Sequence, residues 1–137
     1  MVKHSGRCLC GEVSFEVTAD PLFAGYCHCS DCQKSSGTGH TCVTAFPRAA
    51  VTVHGKTTTY AVEAHSGDTM TRHFCPRCGG RLFAQSSRMP EIFAITATAF
   101  DDSSFFEPKA SMFASRRQAW DHLAEGIPAF ELMPPQP

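Results

Sequence analysis

Apolar and polar positions alternate with a period of two through much of the chain. Val13-Ser14-Phe15-Glu16-Val17 shows the pattern best, and Asp20-Pro21 ends it. Comparable runs predict strands over 22–27, 40–46, 51–53, 57–62, 69–74, 81–85, 91–97 and 109–114. Turn residues punctuate them at Phe46-Pro47-Arg48, His54-Gly55-Lys56 and Ser66-Gly67-Asp68. Two short helical stretches are expected. One covers about 30–35 and the other about 115–123, where Ser115 would cap Arg116-Arg117-Gln118-Ala119-Trp120. No internal repeat is visible, and the Pro-Pro-Gln-Pro end is expected to fray. The class predicted is mainly β with short helical turns.

Composition narrows this. At 137 residues the chain fits one domain, and its 42% hydrophobic content, with 11 Phe, is enough for a core. Lys plus Arg number 12 against 13 Asp plus Glu, a formal charge of -1, so the basic stripe expected of a nucleic-acid binder is missing. No run approaches the ~20 apolar residues of a membrane helix. Positions 1–8, Met-Val-Lys-His-Ser-Gly-Arg-Cys, lack the apolar segment of a secretory signal. The expectation is a soluble cytoplasmic protein whose thiols stay reduced.

The cysteines change the picture most. Eight of them fall at 8, 10, 27, 29, 32, 42, 75 and 78, which is C-x-C, C-x-C-x-x-C, a lone Cys and C-x-x-C. Residues i and i+2 of a strand point the same way, so Cys8/Cys10 aim two thiolates at one point. With Cys75/Cys78 they make two halves of a structural zinc site, since Zn²⁺ takes four thiolates tetrahedrally. Cys75-Pro76-Arg77-Cys78-Gly79-Gly80 has the form of a zinc knuckle, a tight turn closed by glycines.

Cys27-His28-Cys29-Ser30-Asp31-Cys32 supplies three thiolates, not four. Three protein ligands with an open position is the stoichiometry of a catalytic zinc. The alternative is a closed Cys₃His site with His28, His40 or His73 as fourth ligand, and spacing alone leaves both open. His28 suits the closed site least, because in an extended segment it points away from its two cysteine neighbours. Cys42 lies in an alternating segment and is expected to be a small buried hydrophobe. His4, His54 and His65 sit among turn residues and are expected on the solvated surface. His73, two residues before Cys75, is placed to hydrogen-bond a thiolate. Arg116-Arg117 reads as a solvated helix face, and Trp120 as core.

The ordered set Gly6-Arg7-Cys8-Leu9-Cys10-Gly11, Tyr26-Cys27-His28-Cys29-Ser30-Asp31-Cys32-Gln33-Lys34-Ser35-Ser36-Gly37 and Arg72-His73-Phe74-Cys75-Pro76-Arg77-Cys78-Gly79 resembles the family of glutathione-dependent formaldehyde-activating enzymes, which also includes centromere protein V. The likeness continues through Phe100-Asp101-Asp102-Ser103 and Arg117-Gln118-Ala119-Trp120 to Gly126-Ile127-Pro128-Ala129-Phe130. It covers about 4–131 as a single zinc-binding domain, leaving 132–137 as a frayed tail.

The resemblance implies a zinc-stapled β-tent with two Zn²⁺ per chain. Cys8, Cys10, Cys75 and Cys78 match the structural zinc ligands, and Cys27, Cys29 and Cys32 match those of an open active-site zinc. It also implies a carbon–sulfur lyase joining or parting glutathione and formaldehyde as S-hydroxymethylglutathione, so the partner would be a small thiol or its aldehyde adduct. Asp31 and His73 are the nearest candidates, by motif adjacency, to move the proton on the carbinol oxygen. The competing function is a non-catalytic zinc module, either a thiol carrier or a protein-binding tent. A methionine-sulfoxide reductase, which shares the tent architecture, needs a catalytic Cys outside its zinc ligands, and only Cys42 is free.

Overall fold

The protein's structure is a computed structural model of which residues 1–134 are described; 135–137, within the expected tail, lie outside the described residues. It is mainly β. Strands β1 (His4–Arg7), β2 (Ser14–Val17) and β5 (Val51–His54) form an antiparallel sheet in the order β1-β2-β5. The second sheet is larger. It holds β3 (Phe23–Cys27), β4 (Thr41–Pro47), β6 (Thr58–Glu63), β7 (Thr69–Phe74), β8 (Arg81–Ser86), β9 (Ile92–Thr96) and β10 (Ser111–Met112), in the order β10-β3-β4-β9-β8-β7-β6. Every pairing in it is antiparallel except that of β10 with β3, where Ser111 lies opposite Tyr26 and Met112 opposite Cys27. The single α-helix among the described residues, α1 (Ser30–Ser36), follows β3 directly. None of their helices is long and apolar enough to cross a membrane.

The alternation that predicts the strands also builds the core. Phe15 and Val17 of β2 and Val51 of β5 turn inward from the small sheet. They meet Phe46, Leu82, Phe83, Phe93 and Ile95 of the large one, all of them buried. Phe15 stands edge-on to Phe83 at 5.3 Å and to Phe100 at 5.0 Å, while Phe83 stacks on Phe93 at 5.0 Å. Such aromatic pairs add about 0.5–1.5 kcal/mol each beyond the area they bury.

Four expectations are corrected. The first strand, β1, is not among the predicted runs, because His-Ser-Gly-Arg lacks β-branched residues; it forms through its ladder with β2 and a bridge from Gly6 to Phe100. His4 is accordingly half-buried, its ring 4.1 Å from that of Phe105, instead of lying in a solvated turn. The helix expected over 115–123 does not form. Phe113 takes a left-handed conformation (φ 55°), only a 3-10 turn follows at Ala114–Arg116, and Arg117 is extended. The N–H groups of Phe113 and Ala114 donate instead to the carbonyls of Leu132 and Phe130, which fastens Leu132 to the domain. Trp120, expected in the core, is 67% exposed on that irregular segment.

Gly6 marks a close approach between layers. A Cβ there would overlap the Ala99 carbonyl oxygen and meet the Phe15 ring at 2.5 Å. Overpacking of this kind costs roughly 1–3 kcal/mol. Gly6→Ala should therefore lower the urea midpoint of the protein by that equivalent with an unchanged slope; an unaltered midpoint would show that the layers yield freely.

Candidate metal centres and their surroundings

The first cysteine cluster joins the two sheets. Cys8 and Cys10 come from the turn after β1, and Cys75 and Cys78 from the turn between β7 and β8. Their four sulfurs lie within 4.8 Å of one another, with Cys10 Sγ 3.6 Å from both Cys8 Sγ and Cys75 Sγ. A tetrahedral zinc with ~2.3 Å bonds to sulfur sets its ligands ~3.8 Å apart, so the donors fit that ion. Backbone donors are already in place for thiolates. Val13 N–H reaches Cys8 Sγ, Arg77 N–H reaches Cys75 Sγ, and Gly80 N–H reaches Cys78 Sγ, each at 3.4 Å. Backbone N–H groups of Cys10 and Gly80 hold the Cys78 thiol down to about 6; against its burial, the Val13 N–H and the Cys10 and Cys75 thiols keep Cys8 below its ordinary value. Gly79, at φ 74°, supplies the left-handed residue that the knuckle turn requires.

The second cluster sits where β3 runs into α1. Cys27, Cys29 and Cys32 place their sulfurs within 4.8 Å of one another, and no fourth Cys, His or carboxylate donor joins them among the described residues. Local structure explains the convergence. Cys29 is the N-cap of α1, and its sulfur accepts the Cys32 N–H at 3.2 Å, which draws the third cysteine toward the first two. Hydrogen bonds from Cys27 and Cys29 hold the Cys32 thiol far below its usual range, with Thr41 and the Arg81 charge adding to the effect. The Cys27 thiol is pushed far up by Cys29 and Cys32. Arg81 is held against α1 by its bond from Nη1 to Ser35 Oγ, 2.7 Å.

The other predicted residues separate. Asp31 is exposed in the first turn of α1, beside the cluster in sequence. His73 does not reach a thiolate. Its Nδ1 meets Thr57 Oγ1 at 2.9 Å and its Nε2 meets Gln85 Oε1 at 3.1 Å, so both ring nitrogens are engaged on β7. Cys42 is half-buried on β4, opposite Tyr26, and burial pushes its thiol up. His54 and His65 are exposed, as expected. Arg117 lies on an exposed irregular segment, where its guanidinium contacts the Asp121 carbonyl at 3.5 Å.

Three residues escape the sequence reading as a group. His28, just past the end of β3, is buried with Nδ1 3.1 Å from Asp121 Oδ2, and His40 Nδ1 lies 2.8 Å from the same oxygen. Gln33 helps hold Asp121's segment in place. It donates to the carbonyls of His28 (2.7 Å) and Arg116 (2.9 Å) and accepts from Gln118 at 2.8 Å. Nothing in the Trp120-Asp121-His122 stretch signals this meeting, because it depends on an irregular loop.

Residues 3–116 match the family described as glutathione-dependent formaldehyde-activating enzyme. A Halomonas elongata protein named "Putative glutathione-dependent formaldehyde-activating enzyme" is 35% identical over 102 residues, which are 70% of this chain and 64% of that protein. The chain thus spans a little under two-thirds of that relative's length. A crystal structure of a Rhodobacter sphaeroides protein, solved as a structural-genomics target, superposes with a TM-score of 0.60 at 20% identity, covering 92% of this chain and 99% of the other. That likeness speaks for the fold. The chain belongs to the glutathione-dependent formaldehyde-activating enzyme family.

Proposed function

We propose that this protein is a zinc-dependent carbon–sulfur lyase that joins and parts glutathione and formaldehyde, with its reaction centre at Cys27, Cys29 and Cys32. The observation that carries this reading is the trio itself: three converging sulfurs with no fourth protein donor among the described residues. Zinc held by these three residues would supply a Lewis acid with a free position for a substrate sulfur. Cys8, Cys10, Cys75 and Cys78 would hold a second, structural zinc. Thiolate ligands persist in a reducing compartment, which for this reading is the cytoplasm.

In the reaction the thiol sulfur bonds to the formaldehyde carbon, the carbon–oxygen double bond becomes single, and the thiol proton ends on the carbinol oxygen. The reverse breaks the carbon–sulfur bond and returns that proton to sulfur. Three thiolates on one Zn²⁺ leave a net negative charge, and the Arg81 charge beside Cys32 offsets it. Asp31, exposed in the first turn of α1, is the residue of this chain assigned to carry the proton. His73, the other candidate, has both ring nitrogens engaged by Thr57 and Gln85, so Asp31 is preferred for that role.

The test is zinc content per chain by elemental analysis, repeated during titration with glutathione and with an unrelated thiol, alongside cleavage of S-hydroxymethylglutathione. Close to two zincs, with one whose retention responds to glutathione alone, together with turnover, is the expected result. Two zincs indifferent to every thiol, without turnover, would mean a closed second centre and a binding module in place of a lyase.

A further inference from the structure

We propose that His28, His40 and Asp121 form a third metal site, for a divalent transition-metal ion, distinct from both cysteine centres. The three offer one donor atom each within 4.8 Å of one another, and none of these donors belongs to a cysteine cluster. Bonds of ~2.1 Å from imidazole and carboxylate to such an ion place adjacent donors ~3.0 Å apart at a right angle and ~3.4 Å apart at the tetrahedral angle. The observed separations from Asp121 Oδ2 are 3.1 Å to His28 Nδ1 and 2.8 Å to His40 Nδ1.

A hydrogen-bonded triad accounts for only half of this. His40 does bond the carboxylate, but His28 Nδ1, on a residue 1% exposed, makes no hydrogen bond although the oxygen is near. A buried imidazole nitrogen without a partner is costly, and a shared ion would remove that cost. There is room beside it. His28 and His40 border a cavity of about 150 Å³ that Tyr26, His122 and Ala124 also line, which leaves space for water or a small ligand on the ion. The approach is built into the backbone as well, since a Cβ on Gly39 would lie 2.5 Å from Asp121 Oδ2. Two imidazoles and a carboxylate with open positions suit Fe²⁺, Co²⁺ or Ni²⁺, and their donor set differs from the thiolates elsewhere in the chain.

The experiment titrates Co²⁺ alone into protein whose cysteine centres are already loaded with zinc, following metal content and the cobalt spectrum. One further cobalt per chain, showing visible d–d bands without thiolate-to-cobalt charge transfer and with zinc retained, is expected. Its affinity should fall at least ~10-fold in His40→Gln, Asp121→Asn and Gly39→Ala, the last of which displaces the carboxylate without touching a ligand. No added cobalt, a thiolate charge-transfer band with zinc release, or undiminished binding in the variants that keep both zincs would each overturn the proposal. The wild-type spectrum decides even if a variant fails to fold. Because the readout is metal number and ligand type, the outcome is independent of whether the cysteine trio proves to be a lyase centre.

Discussion

Cys78→Ser should abolish cooperative folding. Cys78 supplies one of four converging sulfurs at the junction of the two sheets, and its side chain packs against the main core. Structural zinc in small domains contributes an apparent ~10–16 kcal/mol at neutral pH. A whole domain is typically stable by only about 5–15 kcal/mol. If the ion is lost with its fourth ligand, an amount comparable to the entire stability goes with it, more than a core substitution at a single position removes. A serine oxygen cannot replace the sulfur, because the site draws its affinity from thiolate softness. The measurement is thermal unfolding by circular dichroism, with metal content determined on the same sample. A variant that melts cooperatively near the parent temperature with both zincs bound would refute the structural role given to this centre.

Cys29→Ser should separate chemistry from folding. The serine hydroxyl is itself a favoured N-cap and can accept the Cys32 N–H as the sulfur now does, so α1 and its seam with β3 should persist. The metal would be left with two thiolates. On the proposed reading, several kcal/mol of Lewis-acid stabilisation then disappears, and each ~1.4 kcal/mol is a factor of ten, giving at least a ~10³-fold fall in turnover. Zinc content should drop by about one per chain while the melting temperature moves by only a few degrees, roughly the effect of 1 kcal/mol in a domain of this size. Comparable unfolding of the Cys29 and Cys78 variants would erase the division into a structural and a reactive centre. Full activity in Cys29→Ser would remove the trio from the chemistry altogether.

What could be read from the residues, and what could not, follows from the range over which each signal acts. The cysteine groupings were legible because i, i+2 and i, i+3 spacings constrain where sulfurs point whatever the distant packing. The strands of the core were legible because Phe15 and Val17 of β2, and Phe93 and Ile95 of β9, keep the alternation that burial on one face demands. β1 was not, since its four residues carry no β preference and owe their conformation to β2 and Phe100. The segment after Phe113 has helical composition, yet the left-handed Phe113 and the bonds from Phe113 and Ala114 N–H to the carbonyls of Leu132 and Phe130 set its course along the C-terminal stretch instead. The same loss of local control carries Trp120 outward and Asp121 inward, and so hides the grouping of Asp121 with His28 and His40. His73 misleads for the opposite reason. Its nearness to Cys75 in sequence is real, but on β7 its ring nitrogens turn to Thr57 and Gln85.

The ligands of the structural centre also set an order of events during synthesis. Cys10 and Cys75, whose sulfurs meet, are 65 residues apart in the chain. At ~5–20 residues per second, the ribosome delivers the second knuckle roughly 3–13 s after the first. Throughout that interval Cys8 and Cys10 emerge as an unfinished pair, and the small sheet has no metal to fasten it to the large one. On the proposed reading, the supply of zinc at the moment of translation, more than in the finished pool, would set how much of the chain reaches its native state.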